Sequence, residues 1–435
     1  MNLRDEVTQL LQELIRIDTV NPPGNETVAA ELLGRYLESN GVQCALYGRS
    51  PERANLVARI PGSRSGPRLL LLSHTDTVLA DPSEWSVDPW SGLLEDGHVW
   101  GRGALDMKGQ VAASAVAIAS LAREGFAPAG DLIFAATADE EMGEAPDYGL
   151  SWLVEAHPDA VRCEYAVNEG AGDRVELGGR VLYLCSSAEK MSAPFILRVH
   201  GKSGHASMPG IAENALVKAA PLIERLGQFR DTPQLNPETE GFLEAILGRV
   251  PTAEEALEAA TQLDPLAAET LEPLLTLTVA PTMVEASQKR NVIPGAVEVT
   301  VDCRVLPGQS QEEAERAIRA WLAEAGVDYE LEFLVRQGGT RSPLETPLWD
   351  AISAFVEGLE PGARVAPICV AGFTDSHWLR EAYGTVAYGF FPLRTMNPDL
   401  AARLIHSADE RIHVDDLELG VSFLRHVAQA IGSSG

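Results

Sequence analysis

Between residues 54 and 170 the chain repeats one arrangement, a short apolar run with a histidine or a carboxylate at or just beyond its end. Asn55 to Ile60, Arg68 to Ser73 and Leu132 to Thr137 read as strands, and a small-residue helix from about Gln110 to Arg123 lies between the last two. Strands and helices alternating on this scale close a core as a mostly parallel sheet flanked by helices, an α/β fold. Ahead of them, Leu3, Val7, Leu10, Leu11, Leu14 and Ile15 recur at helical spacing, and Asn21-Pro22-Pro23-Gly24 ends that helix. A second helix is expected from Glu26 to about Ser39, with Val28, Leu32, Leu33 and Tyr36 as its apolar stripe.

The pattern changes near residue 190. Phe195 to His200 alternates as a strand, Asn214 to Leu226 is an amphipathic helix, and a strand is expected within Leu275 to Val284. Val297 to Val305 is a strand, Gln311 to Ala325 a helix and Tyr329 to Val335 a last strand. The order β-α-β-β-α-β describes a small α+β sandwich inserted into the larger domain. We therefore divide the chain into residues 1–190, the first part of the larger domain; 191–336, the inserted sandwich; and 337–435, the second part of the larger domain. Residues 231–273 interrupt the sandwich with ten acidic residues and one basic residue. They are expected to be helical and solvent-exposed, without a chemical role.

Composition excludes several classes. The chain of 435 residues is 45% hydrophobic and 22% charged, ordinary for a folded protein. Its formal charge of −29 repels phosphate backbones and anionic membrane surfaces, so neither nucleic acid nor membrane is an expected partner. The longest nearly apolar run, Val111 to Ala122, is too short to span a bilayer. The five cysteines form no C-x-x-C pair and are odd in number, which fits reduced thiols and a cytoplasmic location.

Five segments carry the chemistry. In Leu72-Ser73-His74-Thr75-Asp76, residues two apart point the same way, so His74 and Asp76 could face one pocket with Asp76 holding the imidazole. Gly101-Arg102-Gly103-Ala104-Leu105-Asp106 is no dinucleotide fingerprint, because Asp106 stands where the third glycine belongs. A carboxylate in a glycine-rich loop that opens a helix can instead be aimed at a metal. Ala138-Asp139-Glu140-Glu141 crowds carboxylates that a dication would relieve, although a solvated acidic turn explains it as well in isolation. Asn168-Glu169-Gly170 and Leu404-Ile405-His406-Ser407 are each bland alone. Together, two histidines and three carboxylates suit cations such as zinc. If Asp106 bridges, each of two metals gains two further ligands, and Glu140 is left over as a candidate base.

In this order the residues resemble the dinuclear zinc hydrolases that include carboxypeptidase G, acetylornithine deacetylase, succinyl-diaminopimelate desuccinylase, carboxypeptidase S and aminoacylase. His74, Asp106, Glu141, Glu169 and His406 are separated by 32, 35, 28 and 237 residues, and the long gap fits an inserted lid. The resemblance implies that Asp106 bridges two Zn2+ ions (Co2+ or Mn2+ could substitute), with His74 and Glu169 completing one site and Glu141 and His406 the other. It implies Asp76 behind His74, and Glu140 as the base that activates a metal-bridged water. Gly204-His205-Ala206-Ser207 resembles the lid motif whose histidine donates to the oxyanion in a partner's active site, which implies a homodimer through the lid. Asn291 and Arg304 resemble residues that hold the substrate carboxylate; a salt bridge to Asp302 is the plainer reading of Arg304. Ala371-Gly372-Phe373-Thr374-Asp375-Ser376-His377 departs from the common loop and looks more like the carboxypeptidase S and N-fatty-acyl-amino-acid hydrolase branch. No role is assigned to His377.

The expected function is hydrolysis of the amide bond of an N-acyl amino acid or dipeptide with a free carboxylate. The alternatives are a desuccinylase or acetylornithine deacetylase-type deacylase, a metal-dependent aminopeptidase, and a non-catalytic metal- or peptide-binding protein on the same scaffold.

Overall fold

The N-terminal stretch builds one edge of a nine-stranded sheet and the helices over it. The computed structural model describes residues 2–142, 148–263, 271–334, 336 and 338–433. Helix α1 (Leu3–Ile15) starts at Asn2, whose side chain accepts the Asp5 N–H, and buries Val7, Leu10, Leu11, Leu14 and Ile15. Helix α2 (Glu26–Ser39) buries Ala29, Ala30, Leu33 and Leu37, while Val28 is exposed. The expected stripe is thus rotated: small alanines face inward because the helix lies close on β2 (Ala54–Ile60), which pairs with β1 (Gln43–Gly48).

Strands β3 (Leu69–His74) and β4 (Leu132–Thr137) are buried along their whole length. Between them runs α3 (Lys108–Arg123), which is buried on nearly every side and whose alanines let it pack tightly. Helix α4 (Leu150–Ala156) and β5 (Tyr165–Asn168) follow. Strands β6 (Arg174–Leu177) and β7 (Arg180–Glu189) form a hairpin whose two-residue turn, Gly178-Gly179, has positive φ at both positions.

The chain then enters the sandwich. Its elements are β8 (Phe195–His200), α5 (Ala215–Gly227), α6 (Pro237–Leu247), α7 (Ala253–Leu263), β9 (Thr278–Glu285), β10 (Ala296–Val305), α8 (Gln311–Leu322) and β11 (Glu330–Phe333). The antiparallel sheet has the order β9-β10-β8-β11. It has its own core, from Met191 to Leu322, separate from the two cores of the large sheet. The expected strand end at Val335 and residues 264–270 of the acidic insertion lie outside the described residues.

The insertion is only partly solvent-exposed, contrary to expectation. Helix α6 buries Glu238, Thr239 and Leu243 and packs on β12 (Arg364–Val370) of the large sheet. Its acidic residues mask a helix that has an inward face.

Chain return supplies α9 (Pro347–Leu359), β12, α10 (Ser376–Tyr383), β13 (Val386–Gly389), α11 (Pro398–Leu404) and α12 (Val414–Ser433). The large sheet runs β1-β2-β4-β3-β5-β13-β7-β12, with β6 on β7. It is mixed: β4, β3, β5 and β13 are mutually parallel, while the β1–β2 and β6–β7 hairpins add antiparallel borders. The parallel centre is what matters for chemistry, because it brings the carboxyl ends of four strands to one edge, where ligands of open α/β sheets bind.

Candidate metal centre and active site

His74 is the last residue of β3, Glu140 and Glu141 follow β4, and Glu169 follows β5. Asp106 precedes α3, and His406 follows α11 at a positive φ of 59°. His74 Nε2 lies 3.2 Å from Asp106 Oδ1 and 3.6 Å from Glu169 Oε2. His406 Nε2 lies 3.0 Å from Asp106 Oδ2 and 3.3 Å from Glu141 Oε2. Asp106 therefore offers one oxygen to each of two triads, and within each triad the candidate ligand atoms lie within 4.8 Å of one another. The donor set, two imidazoles and three carboxylates, fits hard-to-borderline dications. Glu141 Oε1 is buried with no hydrogen-bond partner, as an oxygen reserved for a cation would be.

The electrostatics tell the same story. Burial pushes Asp106 up, but hydrogen bonds with His406 and His74 outweigh it and hold the carboxyl below its usual range. Burial pushes Glu141 up to about 7, against the opposing contact with His406. His406, half exposed, is lifted to about 10 by its hydrogen bonds to Asp106 and Glu141. Glu140 belongs to neither triad. Burial, and then the nearby Glu169, push it well above the usual carboxylate range. Glu140, Glu141, Glu169, Asp106 and His406 all line one cleft of about 350 Å³.

A family model described as Peptidase family M20/M25/M40 matches residues 70–430. The chain belongs to that peptidase family. As a member of the M20 family it is a hydrolase of amide C–N bonds. Over 440 residues it is 28% identical to a succinyl-diaminopimelate desuccinylase of Magnetococcus marinus, covering 97% of each chain. It is 27% identical to aminoacylase-1 of Sus scrofa, covering 98% of this chain and 95% of that one. In structure it resembles the M20 family metallo-carboxypeptidase Sso-CP2 of Sulfolobus solfataricus, with a TM-score of 0.74, 20% identity, and 98% and 99% of the two chains covered.

The expected partnership of His74 with Asp76 takes a fuller form in this M20 site. His74 Nδ1 is 3.0 Å from the Asp76 main-chain oxygen and 3.4 Å from its carboxylate. That carboxylate also accepts the main-chain N–H groups of Glu140 and Glu141, at 3.2 and 3.0 Å. Asp76 thus steadies two of the chemical segments at once.

Several further residues escaped the sequence reading. Asn21 Nδ2 donates to Asp76 and to Asp139, both at 2.9 Å, and Arg53 joins Asp139 to Glu26. Asp139 has a φ of 66°, so this buried network fixes the turn that aims Glu140 and Glu141. Asp375 is buried behind the site, accepts from Thr137 Oγ1 at 3.2 Å, and is pushed by burial to about 8. Glu410 is fully buried and accepts from Arg102 and from the main chain of Gly103, Leu105 and Asp106. The available hints were Asn21-Pro22-Pro23-Gly24 and the Ala371 to His377 loop that holds Asp375, which gave no direction in space.

The sandwich residues stand apart from the candidate metal centre. None of His205, Asn291 and Arg304 lines the cleft. His205 is exposed on the short strand Gly204–His205, paired with Val292–Ile293, and the Asn291 carbonyl accepts the Ala206 N–H. His205 Nδ1 contacts Ser207, 2.7 Å from its hydroxyl oxygen and 3.2 Å from its main-chain nitrogen. Arg304 pairs with Asp302 at 3.0 and 3.1 Å, as the plainer reading had it. It lies opposite Ser192, at the end of β10 nearest the chain crossing. His205 and Asn291 gather at the other end, roughly 26 Å of extended strand away. His377 is buried between Glu189 and Glu381.

Proposed function

We propose that the protein hydrolyses the amide bond of an N-acyl amino acid or dipeptide that bears a free carboxylate. The observation that carries this reading is Asp106, whose two oxygens are divided between two His/carboxylate triads with Glu140 beside them in one cleft. His74, Asp106 and Glu169 would hold one Zn2+ ion, and Asp106, Glu141 and His406 the other; Co2+ or Mn2+ suits the same donors. When bound, the ions supply Lewis-acid polarisation of the scissile carbonyl and lower the pKa of the attacking water. Glu140 takes the proton from that water and returns it to the leaving amine. Its place in the cleft, outside both triads, supports that role.

His205 is proposed as the donor to the developing oxyanion. Its side chain is exposed, and its distance from Arg304 along one sandwich supports the two serving different active sites. A homodimer through the sandwich would bring them together. Strand β9 supports this: it is the open edge of its sheet, and it exposes Met283 and Val284. Five free cysteines suit a reducing, cytoplasmic setting, and no helix of the described residues is long and apolar enough to cross a membrane.

A desuccinylase reading draws only on the names of relatives, and an acetylornithine deacetylase reading only on the resemblance of the motifs. A non-catalytic binding role is disfavoured by Glu140, which such a protein would not need. The test is a screen of N-acyl amino acids against dipeptides with zinc or cobalt added. Turnover of amides with a free carboxylate, and none of their carboxyl-amidated forms, is expected. Equal turnover of the amidated forms would overturn the reading.

A further inference from the structure

The cleft beside the two triads is lined by two unlike sets of side chains. One is the carboxylates. The other is an apolar wall built from Val370 at the end of β12 and Phe373 after it, Phe391 and Leu393 beyond β13, Ile405 beside His406, and Ile412. No lysine or arginine is among the described lining residues, and their one further acidic group is the carboxyl of Asp173, which burial pushes above the usual range.

A charge count sharpens the contrast. Asp106, Glu140, Glu141 and Glu169 together carry four negative charges, which two dications cancel. No cationic side chain among the described lining residues is then left to receive a second anion. A carboxylate desolvated there without a partner would be strongly disfavoured. A methylene buried against this wall gains roughly fourfold in affinity. Since a cavity of about 150 Å³ holds a benzene molecule, the cleft of about 350 Å³ holds on the order of a dozen heavy atoms.

Resting on the function proposed above, we infer that this wall receives the acyl half of the substrate and selects an uncharged alkyl or aralkyl acyl group over a dicarboxylic one such as succinyl. The substrate carboxylate is left to groups outside the wall. Ala402 stands at its rim, exposed on α11, where a longer side chain has room.

The experiment uses the full chain with metal added. N-acetyl-, N-pentanoyl-, N-hexanoyl- and N-succinyl-leucine are compared as substrates, and acetate, hexanoate and succinate as ligands by calorimetry. We expect kcat/KM to rise about threefold to fourfold per methylene from acetyl to hexanoyl, and succinyl to fall about 100-fold below pentanoyl. Hexanoate should bind at least tenfold more tightly than acetate, and succinate no more tightly. Ala402→Arg should raise the succinyl-to-pentanoyl ratio at least tenfold. A flat dependence on chain length, or succinyl-leucine as the best substrate, overturns the inference and leaves the amide-hydrolase reading standing. If no N-acyl amino acid is hydrolysed, the proposed function keeps only its dipeptide arm, and the ligands still decide the wall: a hexanoate-to-acetate affinity ratio above ten supports it, and a ratio near one overturns it.

Discussion

The carboxylate of Glu410 accepts the main-chain N–H of Asp106 at 3.0 Å, across 304 residues of sequence. The loop that carries His406 and the loop that carries Asp106 are thereby fastened together by one buried side chain. Its other oxygen accepts from Arg102 Nη1 at 2.6 Å and Gly103 N at 3.0 Å.

Glu410→Ala leaves Arg102 and three N–H groups without their acceptor. We expect a loss of about 3–5 kcal/mol in stability, the range for breaking a buried ion pair, together with weaker metal binding. Glu410→Gln keeps one acceptor oxygen and should lose about 1–3 kcal/mol. Urea unfolding and metal titration measure both. A change within 0.5 kcal/mol for the alanine variant, in the range of ordinary surface substitutions, would exclude the clamp.

Glu140 and Glu141 are neighbours in sequence with different expected phenotypes. Glu140→Gln should lower kcat by about 10²–10⁴-fold with close to two metal ions still bound per chain. Glu141→Gln should lose metal from one triad. Elemental analysis alongside turnover separates the two, and near-normal turnover of Glu140→Gln would remove it as the base.

His205→Ala should cost about 10²–10³-fold in turnover, the usual loss of one oxyanion donor, with unchanged metal content. Mixing it with Glu140→Gln chains should restore part of the activity, because one site of a mixed dimer then holds both intact groups. Mixed dimers that form and stay inactive would show that His205 does not act across the interface.

Lys190 is buried at the chain crossing, where its ammonium donates to the carbonyls of Pro273 and Thr276 and to Thr278. Burial lowers it from its usual value to about 8. The unfolded chain, with a lysine near 10.4, then holds more protons than the folded one between these two values. Stability from this group should therefore rise with pH from about 8 to about 10.4 and be flat below 8. Relative to Lys190→Met, the wild type should gain on the order of 3 kcal/mol across that window. Denaturant melts at stepped pH provide the comparison, and parallel curves for the two chains would refute it.

Much of the candidate site was legible because its candidate ligands ride on the most regular part of the sequence. The apolar runs of β3, β4 and β5 mark strands, and parallel strands leave His74, Glu141 and Glu169 at one edge. Asn21, Arg53, Asp375 and Glu410 were illegible for a different reason. Each acts through a contact tens to hundreds of residues away, such as Asn21 on Asp139 across 118 positions. No local period records such a pairing. The stripe of α2 was misplaced because periodicity favours Val28, whereas close packing on β2 favours Ala29 and Ala30. Composition likewise hid the inward face of α6.

That helix has a mechanical consequence. The sandwich is joined to the large domain by two neighbouring strands of chain, near Lys190 and Gly338, which alone would make a hinge with one easy axis. Helix α6 leaves the sandwich and lies along the large sheet instead. Glu238 is 3.4 Å from Arg341 beside the crossing, and eleven residues of helix then carry the chain about 16 Å onward. There the Ala245 carbonyl accepts from Arg180 at the tip of the β6–β7 hairpin. A body pinned at a point so far off its pivot cannot swing without dragging the pin, so any approach of the sandwich to the cleft must either carry α6 with it or bend the chain at its two ends.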